Sequence, residues 1–246
     1  MLSKTLTVIL GLFLNIVSGQ AQETDKIGET TLHPIYHGSL ALEWKGTMMY
    51  VDPYGAERFK HLPDPQLVFI TDIHGDHLNV ETLENLNLDQ ATIVCPQAVA
   101  DKIPDQFKTS LKIINNGQTA EIQSIKIEAI PMYNLPESSD SRHTKGRGNG
   151  YILTIGDKRF YISGDTEDIP EMRALTDIDV AFVCMNLPYT MDVDQAASAV
   201  LEFKPELVYP YHYRGGGGVL GDVEKFKSLV SENPNIEVRL RNWYRE

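Results

Sequence analysis

Short apolar runs separated by polar turns recur along the chain and predict a layered α/β fold. Leu67–Thr71 is an apolar run of strand length, and the apolar residues Ile125, Ile127 and Ala129 alternate with charged ones, which is typical of a strand with one solvated face. The other predicted strands are Leu40–Trp44, Met48–Val51, Ala91–Cys95, Tyr151–Ile155, Lys158–Ile162, Val180–Val183, Leu207–Pro210 and Glu237–Leu240.

Amphipathic stretches between these strands predict helices. Asn79 is placed to cap a helix that runs to Leu86, and the remaining predicted helices are Pro96–Lys102, Val193–Phe203 and Asp222–Ser231. Hairpins near the start and the middle of the chain favour a mixed sheet or two packed sheets over a purely parallel sheet. The chain has no internal repeat or linker, so residues 22–246 are predicted to form a single domain.

The first 21 residues have the pattern of a signal peptide. Lys4 precedes an apolar run over Leu6–Val17, and small residues follow at Gly19 and Ala21, after which cleavage is expected. The apolar run is shorter than the roughly 20 residues that span a bilayer, so no transmembrane anchor is expected after cleavage. The pattern therefore predicts an exported protein, periplasmic or secreted.

Composition and charge narrow the possible partners. The 246 residues carry a formal net charge of −12 and no basic run, so no nucleic-acid partner is expected. Cys95 and Cys184 each lie in or beside an apolar run, which favours two buried thiols over a disulfide or a cysteine metal site. A small-molecule substrate is the expected partner, and the sequence leaves the oligomeric state open.

The segment Thr71–His77 carries the richest chemistry. Asp72, His74, Asp76 and His77 follow a buried strand directly, and imidazole and carboxylate are ligands that zinc, manganese and iron accept. The alternative for this segment alone is a polar loop whose histidines cap the next helix.

Three further strands favour a metal site over that alternative. Asp165 and His212 each come just after an apolar strand, and His143 lies in the loop after the strand that ends at Ala129. Several strands thus deliver a histidine or an aspartate just beyond their carboxyl ends, and chance placement would not favour that edge of a sheet.

The order Asp-x-His-x-Asp-His, then His143, Gly-Asp165-Thr and His212, resembles the metallo-β-lactamase superfamily, and within it the L-ascorbate-6-phosphate lactonase branch and related hydrolases. The resemblance runs from about His33 to the C-terminus. Supporting stretches are Tyr36-His37-Gly38-Ser39, Tyr50-Val51-Asp52-Pro53-Tyr54, Gly164–Met172, Tyr189-Thr190-Met191-Asp192 and Pro210-Tyr211-His212-Tyr213. The resemblance implies a four-layer αββα sandwich with two divalent metal ions at one end of the two sheets. Zinc is the expected metal, with manganese or iron as alternatives.

The resemblance also implies a ligand set. His74 and His143, with Asp72, would bind the first metal; Asp76, His77 and His212 would bind the second; Asp165 would bridge them. Asn134, with Tyr133, stands nearer the strand end, where many superfamily members have their histidine, and is the alternative region to His143. Asp72 stands where the superfamily usually has its first histidine, which adds negative charge and could weaken the first site so that one metal dominates.

The implied activity is hydrolysis. A divalent ion lowers the pKa of bound water to about 7, so that hydroxide is available to attack a small ester, lactone or phosphoester. The family position of Asp76 implies a general acid/base role. Among neighbouring residues, His37 is a candidate substrate contact or a structural histidine, and Asp52 is expected to brace the ligand loop. Lys145 and Arg147 are expected to lie on a solvated loop, with attraction of an anionic substrate as the alternative.

Two other functions stay open from the sequence. One is a metal-binding or scaffold protein of the same fold without turnover, which the aspartate at position 72 favours. The other is a nucleic-acid-processing relative, which the acidic charge and the predicted export disfavour.

Overall fold

The computed structural model describes residues 23–244, and the predicted signal peptide lies outside them. Within this range the strands form two sheets of seven. The first sheet contains, in spatial order, β1 (Asp25–Ile27), β2 (Thr30–Tyr36), β3 (Ser39–Trp44), β4 (Thr47–Val51), β5 (Leu67–Phe69), β6 (Thr92–Cys95) and β7 (Leu111–Ile113). The second contains β8 (Thr119–Ile122), β9 (Ile125–Met132), β10 (Gly148–Ile155), β11 (Lys158–Ile162), β12 (Val180–Cys184), β13 (Leu207–Tyr211) and β14 (Glu237–Val238).

The two sheets share one pattern of strand direction. Strands β1 to β4 pair antiparallel and β4 to β7 pair parallel, and in the second sheet β8 to β11 pair antiparallel and β11 to β14 pair parallel. In the first sheet β2, β4 and β5 therefore end at one edge, and in the second sheet β9, β11 and β13 do the same. The loops after these six strands build the site described below.

In the described part of the chain, five α-helices cover the outer faces of the sheets: α1 (Val80–Asn85), α2 (Gln97–Ala100), α3 (Pro170–Arg173), α4 (Val193–Phe203) and α5 (Val223–Val230). Asn79 caps α1, as predicted, by accepting a hydrogen bond of 2.8 Å from the Thr82 amide. Asp192 and Gln195 form a reciprocal capping box at the start of α4. Local side-chain bonds thus fix where these helices begin.

Alternating side chains divide the core into two parts. Leu40 and Leu42 of β3 belong to the main buried cluster, together with residues of the second sheet such as Leu153, whereas Ala41 points to the opposite face and belongs to a smaller cluster that includes Leu83 of α1. The main cluster also includes residues of α4 and α5. The layers are therefore helix, sheet, sheet and helix, and the predicted αββα sandwich is confirmed.

Most predicted elements are present, with differences at their ends. The predicted helix Pro96–Lys102 is shorter, with α2 at Gln97–Ala100, and the predicted strand Glu237–Leu240 is reduced to Glu237–Val238. Strand β2 was not predicted, because its segment Thr30–Tyr36 contains threonines, a histidine and a proline instead of an apolar run. Both cysteines are buried free thiols, as expected, and no helix within residues 23–244 is long and apolar enough to cross a membrane.

Phe182 tests the packing between the layers. It is fully buried on β12 and its ring stacks on that of Tyr209 at a centroid distance of 5.3 Å. We expect Phe182→Ala to lower the free energy of unfolding by about 3–5 kcal/mol, since it leaves a cavity in the main core. Urea denaturation measures this loss, and Leu187→Ala, at a side chain that is 53% exposed, is the matched control and should change stability little. Equal effects of the two substitutions would contradict this account of the core.

Candidate metal centre

The structure brings all seven predicted ligands to the edge where the six strands end. They form three groups whose ligand atoms lie within 4.8 Å of one another. The groups are Asp72, His74 and His143; His77, Asp165 and His212; and His37, Asp76 and His212. Histidines and aspartates from both sheets therefore converge on one place, and His37 joins the predicted set.

Asp165 lies at the middle of this arrangement. Its Oδ2 is 3.2 Å from His143 Nε2 and 3.3 Å from His77 Nε2, and its Oδ1 is 3.3 Å from His212 Nε2. One carboxylate thus faces imidazoles of both ligand groups, as a bridging ligand would.

These separations fit a metal ion. Ligands that lie about 2.0–2.1 Å from a tetrahedral zinc ion are about 3.3–3.4 Å apart. Asp165 Oδ1 and His143 Nε2 are also buried without a hydrogen-bond partner among the described residues. Buried polar atoms without partners are rare, because each carries a desolvation cost, and cations bound at the centre would satisfy both atoms.

The first group contains the unusual ligand Asp72. Its Oδ2 lies 2.7 Å from His74 Nδ1 and 3.9 Å from His143 Nε2. Asp72 lies three residues after the end of β5, directly after Thr71, whose amide and hydroxyl both donate to the carboxylate of Asp52. The strand ends at Phe69, two residues earlier than predicted, and Asp52 holds the segment that leads from it to Asp72.

The two alternatives for the ligand after β9 turn out to be neighbours. Asn134 Oδ1 accepts a 2.8 Å hydrogen bond from the His143 amide and lies 3.1 Å from His143 Nδ1. The Asn134 side chain is itself held by donating to the Tyr189 carbonyl at 2.8 Å. Asn134 therefore fixes the ring of His143 so that Nε2 faces Asp165, and the long loop brings the histidine back to the strand end.

His77 is oriented by Asp52, which was expected to brace the ligand loop. His77 Nδ1 lies 2.8 Å from Asp52 Oδ2, and both side chains are fully buried. A histidine that donates from one ring nitrogen to a carboxylate presents the other nitrogen as a ligand. His77 Nε2 accordingly faces Asp165 and lies 3.3 Å from His212 Nε2.

Asp76 lies at the open side of the centre. Its carboxylate is 35% exposed, and Oδ2 is 3.4 Å from His212 Nε2 and 3.4 Å from His37 Nε2. His37 Nδ1 lies 2.9 Å from the hydroxyl of Tyr244, which fixes the ring of His37. The contact with Tyr244 could not be predicted from the sequence, because only the folded chain brings Tyr244 next to His37.

Two glycines permit this close packing. A Cβ on Gly38 would lie 2.8 Å from His212 Cδ2, so the β2–β3 turn can approach the ligand only without a side chain. Gly164, directly before Asp165, has a φ of 60°, and a Cβ there would lie 2.6 Å from Met132 Sδ.

Arg147 differs from its expected place on a solvated loop. Its guanidinium forms a bidentate ion pair with Asp72, with Nε 3.1 Å from Oδ1 and Nη2 3.0 Å from Oδ2. The two residues are 75 positions apart in the sequence, so no local pattern predicts this ion pair. The loop before β10 therefore supplies both a candidate ligand, His143, and a cation that contacts another ligand.

The charges of the centre shift the pKa values of its members. Burial alone would raise the pKa of Asp72, but His74, His77 and Arg147 outweigh burial and lower it to about 2. Burial alone would lower the pKa of His77, but Asp165, Asp52 and Asp76 outweigh burial and raise it well above its usual value of 6.5. The metal-free centre at neutral pH therefore holds ionised carboxylates around a protonated His77.

Comparison with known proteins identifies the family. A family model described as a beta-lactamase superfamily domain matches residues 47–213, the span that holds every candidate ligand except His37. The chain belongs to the metallo-β-lactamase superfamily. A UPF0173 metal-dependent hydrolase of Pyrococcus horikoshii is 31% identical over 191 residues, which cover 76% of this chain and 84% of the relative.

Solved structures of the superfamily agree with the fold. The crystal structure of a proposed metal-dependent hydrolase from Parabacteroides distasonis is 37% identical, with a TM-score of 0.79 over 89% of this chain and 98% of that one. The metallo hydrolase Igni18 of Ignicoccus hospitalis is 25% identical, with a TM-score of 0.72 over 85% of this chain and 94% of that one. The chain is a metal-dependent hydrolase of the metallo-β-lactamase superfamily, and its resemblance to the lactonase branch stays a prediction.

Asp52 gives a test of ligand orientation. We expect Asp52→Asn to weaken metal binding by about 10- to 100-fold, because the amide is a poorer acceptor for the His77 ring. Competition with a chromogenic chelator measures the affinity, and Asp89→Asn on the exposed surface is the control. Unchanged affinity in Asp52→Asn would show that the contact does not orient the ligand.

His77 gives a test of the charge balance. Because its folded pKa is raised, protonated His77 stabilises the metal-free fold fully below pH 6.5, and this contribution is lost as the pH rises through the raised pKa. A metal ion at Nε2 must displace the proton, so binding at pH 7 should release about one proton from His77. Calorimetric titration in buffers of different ionisation enthalpy measures the release, and heats that do not depend on the buffer would contradict it.

Proposed function

We propose that the protein hydrolyses a small ester, lactone or phosphoester at a centre of two divalent metal ions. Zinc is the expected metal, with manganese or iron as alternatives. The first ion would be held by Asp72, His74 and His143, and the second by Asp76, His77 and His212. The observation that carries the proposal is the position of Asp165, which lies 3.2 Å from a histidine of the first group and 3.3 Å from two of the second.

The bound ions would lower the pKa of water and polarise the oxygen of the substrate. The protein itself supplies orientation and a proton acceptor. Burial would raise the pKa of Asp76, but His77, His212 and His37 outweigh burial and lower it, so Asp76 is a carboxylate at neutral pH. It is also the most exposed of the ligand carboxylates, at 35%, and so is open to a substrate.

Asp76 is therefore placed to act as the general base and then as the general acid. Its Oδ2 would take a proton from the attacking water, and the protonated carboxyl would give that proton to the leaving oxygen of the substrate. His37 Nε2, 3.4 Å from the same oxygen, holds the carboxylate toward the centre.

Arg214 supports a substrate that carries an anionic group. Its guanidinium donates to the Tyr36 hydroxyl at 3.0 Å and lies 4.0 Å from the ring centroid of Tyr244, the residue that contacts His37. Within residues 23–244 Arg214 makes no ion pair with a carboxylate, so a carboxylate or phosphate group of a substrate is a suitable partner for it.

Asp76→Asn tests the proposed mechanism. We expect the variant to fold and to lose about 10²- to 10⁴-fold in kcat, because an amide cannot accept the proton. The measurement is hydrolysis of a panel of lactones, carboxylic esters and phosphoesters by protein loaded with zinc or manganese, with each substrate in a neutral and an anionic form.

Metal content of each preparation is measured beside activity, since Asp76 is also a proposed ligand. Asp140→Asn, on an exposed part of the loop before His143, is the matched control and should keep full activity. Full activity in Asp76→Asn would remove Asp76 from the mechanism. A fully loaded wild-type protein that turns over no member of the panel would favour a metal-binding protein without hydrolysis of these substrates.

A further inference from the structure

Asp72 is the one ligand in the centre that forms an ion pair with an arginine, within the described residues. Both carboxylate oxygens of Asp72 accept from Arg147, at 3.1 and 3.0 Å. The carboxylate is fully buried and the Arg147 side chain is 19% exposed, so this pair is shielded from water and its geometry is defined.

The pair changes the charge at the ligand position. Compared with a neutral histidine, an aspartate adds one negative charge, and Arg147 adds one positive charge beside it. The neighbouring cation, Lys145, is engaged elsewhere, with Glu137 at 2.9 Å and Glu171 at 3.1 Å. Asp72 and Arg147 together therefore have the net charge of the histidine that the superfamily usually has at this position.

The arginine leaves Asp72 able to bind a metal ion. A carboxylate has about four acceptor positions, and the bidentate pair uses two of them. Oδ2 also remains 2.7 Å from His74 Nδ1, on the side of the other members of its group. Arg147 nevertheless withdraws charge from this oxygen, and the guanidinium repels a second cation brought near it.

Within residues 23–244 the other group has no arginine beside its ligands. Asp165 faces three histidines and no arginine, and Asp52 behind His77 adds negative charge instead of removing it. The two groups therefore differ in electrostatic attraction for a cation, although their residue types are similar.

We propose that Asp72 and Arg147 act as one neutral ligand unit, and that Arg147 thereby weakens the Asp72–His74–His143 position. Metal ions then fill the His77–Asp165–His212 position first and the Asp72 position second. This inference rests on the proposed centre of two ions, and it makes Arg147 the residue that sets the affinity of the weaker position.

Stepwise zinc titration of the metal-free protein, followed by calorimetry and chelator competition, tests the order. Wild-type protein should show two steps of different affinity. His143→Ala should remove the weaker step and His212→Ala should remove or greatly weaken the tighter step, which assigns each step to its position.

Arg147→Gln then tests the role of the arginine. Loss of the positive charge should tighten the weaker step by roughly ten-fold or more and leave the tighter step nearly unchanged. The melting temperature of the metal-free variant should fall, since Asp72 loses its partner, and the rise in melting temperature on adding zinc should be larger than in wild type. Arg142→Gln, an exposed arginine of the same loop, removes the same charge without a contact to Asp72 and is the matched control.

A double-mutant cycle tests whether the two residues act as a unit. Asp72→His alone should weaken the second step, because the guanidinium then faces a metal ion without its carboxylate. Arg147→Gln should tighten that step by more in the Asp72→His background than in wild type, because the carboxylate no longer offsets the guanidinium charge, whereas an equal effect in both backgrounds would overturn the inference. Arg147→Lys keeps the charge and should keep the wild-type order, which gives a result even if Arg147→Gln does not fold.

The outcomes separate this inference from the proposed function. Wild-type protein that binds no zinc, or a single ion, would overturn the proposed two-ion centre and this inference with it. Two bound ions in wild type with an unchanged or weakened second step in Arg147→Gln would overturn the role of Arg147 alone and leave the proposed function standing.

Discussion

Asp165 joins the two sheets at the point where the chemistry is concentrated. Its carboxylate contacts His77, which the first sheet delivers, and His143 and His212, which the second sheet delivers. These atoms are buried, and among residues 23–244 Asp165 Oδ1 and His143 Nε2 have no hydrogen-bond partner, so their approach carries a desolvation cost unless a cation is bound. The free energy gained by apolar packing between the sheets must therefore exceed this desolvation cost.

Neutral and acidic groups behind the histidines fix the orientation of the histidine rings. Asp52, Asn134 and the Tyr244 hydroxyl each engage the Nδ1 of a histidine, so that the Nε2 atoms of His77, His143 and His37 face inward. Such partners fix both the tautomer and the ring orientation, and a metal ion then meets ligands that need little rearrangement. Asp52 and Asn134 lie just after the ends of β4 and β9, and Tyr244 lies in the C-terminal segment.

The sequence allowed prediction of what depends on local pattern. The strand-end positions of Asp72, His74, Asp165 and His212 follow from apolar runs and the residues after them, since parallel strands end at a common edge. The pairing of Arg147 with Asp72 could not be predicted, because it depends on the path of an irregular loop. For the same reason Asn134 and His143 were alternatives in the sequence, although in the fold they are hydrogen-bonded neighbours that do one job together.

Strand β2 and the Tyr244 contact show a second limit of local pattern. Thr30, His33 and Pro34 of β2 are buried by the rest of the fold, and a single segment of sequence does not show what will cover it. His37 illustrates the consequence for the site. Its ring is defined by a tyrosine 207 residues away and by the Asp76 carboxylate, so its place beside the ligands is a property of the closed sandwich.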